Sequence, residues 1–444
     1  MKLLLILAVA VCCTLALSNC AGGGNIGLGP NVTASPTLPP ANSPIKHIVI
    51  IIQENRTPDN LFHGLPGADI ADSGKDSKGH TIVLQPNTLD ANLFLAHTHA
   101  SFIDGYNQGR MNGFDLEPQD CANPPFCPYT FVPPAEVAPY FQMAKQYTFA
   151  DHMFQTNQGP SFPAHQYLIA GTSEPSVGSD LLAAENPGEP GHGNSIAGCD
   201  APTDTSVLMI DPLGNESIRM YPCFEHPTLI DLLDQHNVSW KYYAPNTSSI
   251  WVGPNSINHL RFGADWSHVI IPQTRVIDDI NANQLAGVTW VVPDGLASDH
   301  PLLTNGSGPS WVASIVNAIG QSSYWNDTAI FIVWDDWGGF YDHVPPPNIF
   351  NSYELGMRVP MIVVSPYAKP GYVSKTNHEF GSILHYIESD YSLGSLGFTD
   401  SRADDLSDCF NYLQTPNVFH MINAPLGPKY FLRPGAPHGP PDTD

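Results

Sequence analysis

The run Trp334-Asp335-Asp336-Trp337-Gly338-Gly339-Phe340-Tyr341-Asp342-His343 holds two adjacent carboxylates, a glycine pair, a third acid and a histidine. Two like charges side by side in a half-buried turn are costly unless a cation sits between them. Asp335 and Asp336 therefore read as half of a metal site. Near the start of the chain, Gln53-Glu54-Asn55-Arg56 supplies a carboxylate and an amide, both hard oxygen donors suited to the same cation. Between the halves, Gly159-Pro160-Ser161 presents a hydroxyl just before a helical pattern over residues 166–170. A helix N-terminus gathers unpaired amides and partial positive charge, which suits an oxygen nucleophile or a phosphate. Taken singly, each group has a plainer reading. Adjacent acids often cap turns, a serine before a helix is more often an N-cap than a nucleophile, and a lone histidine is usually a satisfied core or surface residue.

The elements that must position these groups are legible. Residues 45–52 and 329–333 are apolar and β-branched, as buried strands of a parallel sheet are. Each empties directly into its acids, at the strand end where open α/β sheets place ligands. Residues 228–235 predict an amphipathic helix, and residues 238–243 the strand after it. Residues 288–292 predict another strand, followed by a helical stripe ending at Gly320. A last buried strand at 360–365 precedes a helix over 380–388. This alternation predicts an α/β fold with a mostly parallel central sheet and helices on both faces. Gly-, Asp- and Pro-rich insertions near 63–90 and 172–224 read as surface loops or a cap over the site.

Read together, these residues resemble the bacterial phosphoesterase family that unites phospholipases C with an acid phosphatase branch, within the alkaline-phosphatase-like superfamily. The resemblance runs through Gln53-Glu54-Asn55-Arg56, His97 ahead of Gly109-Arg110-Met111-Asn112-Gly113-Phe114, and Gly159-Pro160-Ser161. It continues with Ser298-Asp299-His300-Pro301, Asp335-Asp336 to Pro347, and the segment from His378 to Glu388. It implies an alkaline-phosphatase-like fold and a metal-dependent phosphate ester hydrolase. Glu54, Asn55, Asp335, Asp336 and Ser161 would hold one divalent cation, whether calcium, magnesium, zinc or iron. Ser161 would be the nucleophile, passing through a phosphoserine, and His97 and His300 would contact phosphate oxygens or protonate the leaving group. Asp342 and His343 are expected to support the site rather than ligate. His99, His152 and His165 lie outside the family pattern and are read as ordinary histidines. A sulfatase would need an arginine where His165 follows Ser161-x-Pro163. A catalytically inactive surface binding protein is the reading from another class, and the intact residue set argues against it.

Composition bounds the partners. Acids outnumber bases 42 to 17, a net charge of -25, which excludes nucleic acid as a partner because counterion release needs clustered Lys and Arg. The expected substrate is a phosphate ester, with phospholipids among the candidates. Residues 1–20 read as a signal peptide, with Lys2 ahead of an apolar stretch too short for a secure membrane span. Leu17-Ser18-Asn19-Cys20 resembles a lipoprotein box with an unusual Asn, so lipidation of Cys20 is preferred over simple secretion. Either way the protein is expected to be exported, with membrane contact only through that anchor. Residues 21–44 read as a flexible linker, 45–433 as the catalytic domain and 434–444 as a Pro-rich tail. Cys121 with Cys127, and Cys199 with Cys223, read as local disulfides, and Cys409 as a buried free thiol. Because the chain leaves no room for further C-terminal β domains after the 380–388 helix, a broad acid phosphomonoesterase is expected ahead of a phospholipase C.

Overall fold

The computed structural model describes residues 43–120, 126–189, 192–193 and 196–433. The signal peptide, Cys20, nearly all of the linker, Cys121 and the Pro-rich tail lie outside them. The hydrophobic runs form an eight-stranded sheet. In chain order its strands are β1 (His47–Gln53), β2 (Thr148–Ala150), β3 (Trp240–Tyr243), β4 (Val269–Ile270), β5 (Val288–Val291), β6 (Thr328–Trp334), β7 (Met361–Val364) and β8 (Tyr372–Ser374). Their order across the sheet is β4-β3-β5-β1-β6-β7-β2-β8. β1 pairs in parallel with β5 and β6, and β7 runs antiparallel to both its neighbours, β6 and β2. Ile48 to Ile52 and all of β6 are fully buried, so both faces of the central strands are covered, as their continuous apolar sequence requires.

The cover is helical. α1 (His99–Tyr106), α2 (Ala138–Gln146), α3 (Ser161–Ala170), α4 (Leu229–Gln235), α5 (Arg275–Asn281), α6 (Gly308–Gly320) and α7 (Phe380–Tyr391) are its main members. Six of them form two packed groups: α2 and α5 both meet α6, while α4 and α7 both meet α3; α1 instead places Phe102 in a smaller cluster with Phe114 and Trp337. α4 begins where the sequence places it, with Thr228 and Asp231 closing a capping box that satisfies two of the helix's free amides. Together the described residues build one α/β unit. The 172–224 insertion folds as a three-stranded antiparallel sheet of Leu182–Ala183, Val207–Ile210 and Ile218–Met220. It is stapled by a Cys199–Cys223 disulfide, and Cys127 is also disulfide-bonded. No helix among the described residues is long and apolar enough to cross a membrane.

Cys409 is a buried free thiol, as its sequence context suggested, and it lies 3.9 Å from His378 Nε2. His378, fully buried between β8 and α7, bonds Asp404 Oδ1 through Nδ1 at 2.8 Å and Ser374 Oγ at 3.0 Å. Burial opposes protonation of this ring, but the Asp404 carboxylate outweighs it and holds the pKa up at about 10. The folded pKa therefore lies above the ordinary 6.5, so the charged pair stabilises the fold fully below pH 6.5. That contribution is lost as the pH rises through about 10. Melting curves should show His378→Gln flattening the decline of Tm across that window. A parallel decline in the variant and the parent would remove this pair as its cause.

Candidate functional site

Strand register builds the site. β1 and β6 are parallel neighbours with Gln53 opposite Trp334, so the next residues of each strand leave the sheet side by side. Asp335 N donates to Gln53 O at 3.0 Å, and Asn55 N donates to Asp335 Oδ1 at 3.1 Å. Asn55 adopts a left-handed backbone, φ 59°, which asparagine tolerates better than most residues. Gly338 must come equally close: a Cβ there would lie 2.5 Å from Asn55 O. Gly338 thus lets the two half-sites touch, while Gly339 makes room for Leu95 and Ala96.

Glu54, Asn55, Asp335, Asp336 and Ser161 are all fully buried and all brought to this point. Asn55 Nδ2 donates to Asp336 Oδ1 at 2.9 Å, and Ser161 Oγ donates to Asp336 Oδ2 at 3.2 Å. Glu54 and Asp335 meet His165, whose Nε2 lies 3.3 Å from Glu54 Oε1 and 3.8 Å from Asp335 Oδ2. One ligand atom from each of these three residues fits within a 4.8 Å span. His165 is the residue that reading the chain one motif at a time missed. The signal was its spacing: four residues after Ser161, it shares a helix face with the serine.

The donor set can be tested against a cation. Asn55 Oδ1 and Asp335 Oδ2 are buried and accept no hydrogen bond from the described residues. Buried acceptors are almost always satisfied, and a central cation satisfies both at once while offsetting the clustered carboxylates. Ligand atoms about 2.0–2.6 Å from one ion lie within about 5 Å of each other, which the observed spacing meets. The residues fit a divalent metal.

His97 and His300 stand at the edge of this pocket with ring centroids 6.1 Å apart. His97 Nε2 lies 3.1 Å from Asn55 Nδ2 and 3.9 Å from Asp336 Oδ2. The Nδ1 of His97 bonds the Leu95 carbonyl at 3.0 Å, and that of His300 bonds the Pro301 carbonyl. A ring nitrogen facing a carbonyl must carry the proton, so in each neutral ring Nε2 is the acceptor, and in His97 it faces the Asn55 amide. A cleft of about 140 Å³ is lined by Phe94, Ala96, His97, Thr98 and Pro160, the residue before Ser161.

Asp342 and His343 sit elsewhere. Together with Asp59 they offer ligand-like spacing, but a cation is already there, because Arg358 bonds Asp342 at 3.0 Å and lies 3.5 Å from Asp59. His343 Nδ1 bonds Asp59 Oδ2 at 2.8 Å, and His343 N donates to the same oxygen at 2.8 Å. Burial disfavours the charged ring, yet Asp59 and Asp342 hold its pKa up at about 9. This ion-pair cluster ties the loop after β6 to the segment after β1, behind the ligands. Asp299, one residue before His300, is also turned away from the cation pocket: it accepts from Tyr140 Oη at 2.9 Å and Trp334 Nε1 at 3.0 Å. Of the remaining histidines, His99 is bonded to Glu216 and Gln158, and His152 lies 3.7 Å from Asp69.

The profile of the Phosphoesterase family matches residues 45–394, spanning every site residue named above. A non-hemolytic phospholipase C of Pseudomonas aeruginosa is 23% identical over 436 residues, covering 84% of this chain and 58% of that protein. A phospholipase C A of Mycobacterium tuberculosis is 24% identical over 436 residues, covering 84% and 78%. The match thus spans little more than half the length of the Pseudomonas relative. Among solved structures, a protein of the alkaline phosphatase superfamily from Vibrio parahaemolyticus aligns over 83% of this chain and 75% of its own, with TM-score 0.36 and 10% identity. The chain belongs to the Phosphoesterase family and is a hydrolase acting on phosphate esters.

Proposed function

We propose that this protein is a broad phosphomonoesterase, working at acidic pH through a phosphoserine intermediate. The observation that carries the reading is the 3.2 Å hydrogen bond from Ser161 Oγ to Asp336, inside a pocket whose buried acceptors call for a cation. Glu54, Asn55, Asp335, Asp336 and His165 would hold the metal, with Ser161 beside it. When bound, the cation lowers the pKa of the serine hydroxyl and screens phosphoryl charge. The imidazole of His165 favours a borderline ion such as zinc or iron over calcium or magnesium, which prefer all-oxygen sites.

Ser161 Oγ attacks phosphorus in line with the leaving oxygen, its proton passing to the adjacent Asp336 carboxylate. His97 and His300 direct Nε2 towards the non-bridging oxygens, where a protonated ring donates a hydrogen bond, and one of them protonates the departing oxygen. Water then cleaves the phosphoserine and frees phosphate. Stabilising the spread of charge matters most here, since uncatalysed phosphate ester hydrolysis is among the slowest biological reactions.

The surplus of acids over bases supports an acidic working range, where protonation relieves self-repulsion. The Cys199–Cys223 disulfide supports export to an oxidising compartment. The second reading is a phospholipase C cleaving phospholipid head groups, favoured by the names of the relatives. Comparing kcat/KM on p-nitrophenyl phosphate and on phosphatidylcholine vesicles decides between them. We expect the monoester to lead, and a vesicle preference of about tenfold or more would reverse the order.

A further inference from the structure

The 172–224 insertion reaches the catalytic core through residues 184–186. Its strand Leu182–Ala183 pairs with Val207–Ile210, and Ala184 N continues the contact by donating to Leu208 O at 2.9 Å. Tyr353 Oη donates to Ala184 O at 2.7 Å. A Cβ on Gly159 would lie 2.3 Å from that same carbonyl, so only glycine lets the nucleophile loop lie this close to the cap strand.

The next two residues turn their side chains to two helix starts. Asn186 Oδ1 accepts from Phe162 N at 2.8 Å, and Glu185 Oε1 accepts from His99 N at 3.0 Å. Phe162 directly follows Ser161 in the first turn of α3. This helix has no side-chain cap of its own, because Pro160 occupies the N-cap position. His99 opens α1, two residues after His97. A helix start carries amides with no intrahelical partner, and an acceptor placed on one fixes the path of the first turn. His99 adds a cross-link, since its Nε2 bonds Gln158 Oε1 at 3.2 Å in the nucleophile loop and its Nδ1 bonds Glu216 of the insertion.

We propose that Glu185 and Asn186 are positioning residues for the hydrolysis. By holding the first turns of α1 and α3 from a single dipeptide of the cap, they fix where Ser161 stands relative to His97. The proposal rests on the reading of Ser161 as nucleophile and His97 as a phosphate contact, and adds that the insertion completes the site. Neither side chain touches the reacting atoms. Their effect is geometric, and a misplacement of about 1 Å is enough to cost about 100-fold in rate.

The test uses the full chain with its metal, and p-nitrophenyl phosphate as probe. Asn186→Ala and Glu185→Ala should each lower kcat by about 10- to 100-fold while bound metal and KM stay near the parent values. Asn186→Asp and Glu185→Gln keep an acceptor oxygen at the same place and should restore most of the lost kcat. An alanine variant with the parent's kcat would overturn the proposal. So would equal kcat losses in the alanine and conservative variants, which mark a general packing role. If Asn186→Ala fails to fold, the Glu185→Ala and Glu185→Gln pair decides. Ser161→Ala run alongside separates the two levels: full activity there refutes the nucleophile itself, whereas an inactive Ser161→Ala beside an unimpaired Asn186→Ala refutes only the positioning role.

Discussion

Ser161→Ala is expected to fold, keep its metal and lose about four to six orders of magnitude in kcat. The side chain is fully buried at the start of α3 and makes a single bond to Asp336 Oδ2, so removing one oxygen leaves no large cavity and no ligand carboxylate without its other partners. Stability should therefore change little while the attacking atom disappears. The parent enzyme, quenched in acid during turnover of a labelled phosphomonoester, should carry phosphate on Ser161. A label on His97 or His300 after a parallel alkaline quench, which preserves the acid-labile phosphohistidine, would mean that a histidine is the nucleophile, and a Ser161→Ala variant turning over at the parent rate would dismiss the mechanism altogether.

The second large effect is on the metal. Asp335→Asn, Asp336→Asn and His165→Gln should each strip most of the bound metal and most of the activity. Glu54, His165 and Asp335 offer their ligand atoms within one 4.8 Å cluster, so every ligand's position depends on the same ion. Loss of an outer-sphere partner alone typically costs about 10- to 100-fold in affinity, and loss of a direct ligand costs more. Elemental analysis of the purified variants reads this directly. His165→Gln is the discriminating case, because it removes the nitrogen donor and should shift the remaining binding towards harder ions. Parent metal content in His165→Gln, with the aspartate variants depleted, would return His165 to a supporting role.

Much of this site was written in local residue chemistry. Glu54-Asn55 and Asp335-Asp336 each follow a long apolar run, and a strand's end is a fixed place in an open sheet, so their convergence followed from motif and strand together. Ser161 was legible because a Gly-Pro turn and a helical pattern flank it. The apolar run at 360–365 likewise announced a buried strand, but not its direction. β7 runs antiparallel to its neighbours, and a continuous hydrophobic strand buried on both faces carries no mark of which way it points.

Other features had no local signature. Asp342-His343 reads as support for the site, yet what it supports depends on Arg358, which arrives from another segment and occupies the place a cation would take. His165 looks like any helical histidine until α3 is laid across the ends of β1 and β6. The grip of Glu185 and Asn186 on two helix starts depends on how the insertion docks, and the Gly- and Pro-rich sequence there implies only a loop or cap. By itself the sequence determined five of the eight strands, the two acidic half-sites and the hydroxyl between them, because hydrophobic periodicity and adjacent like charges are local properties of the chain. Only the tertiary structure decided which histidine meets the carboxylates and which acids are already neutralised. Those depend on the Gln53–Trp334 register and on helix and loop docking, where atoms distant in sequence must come within a few ångströms.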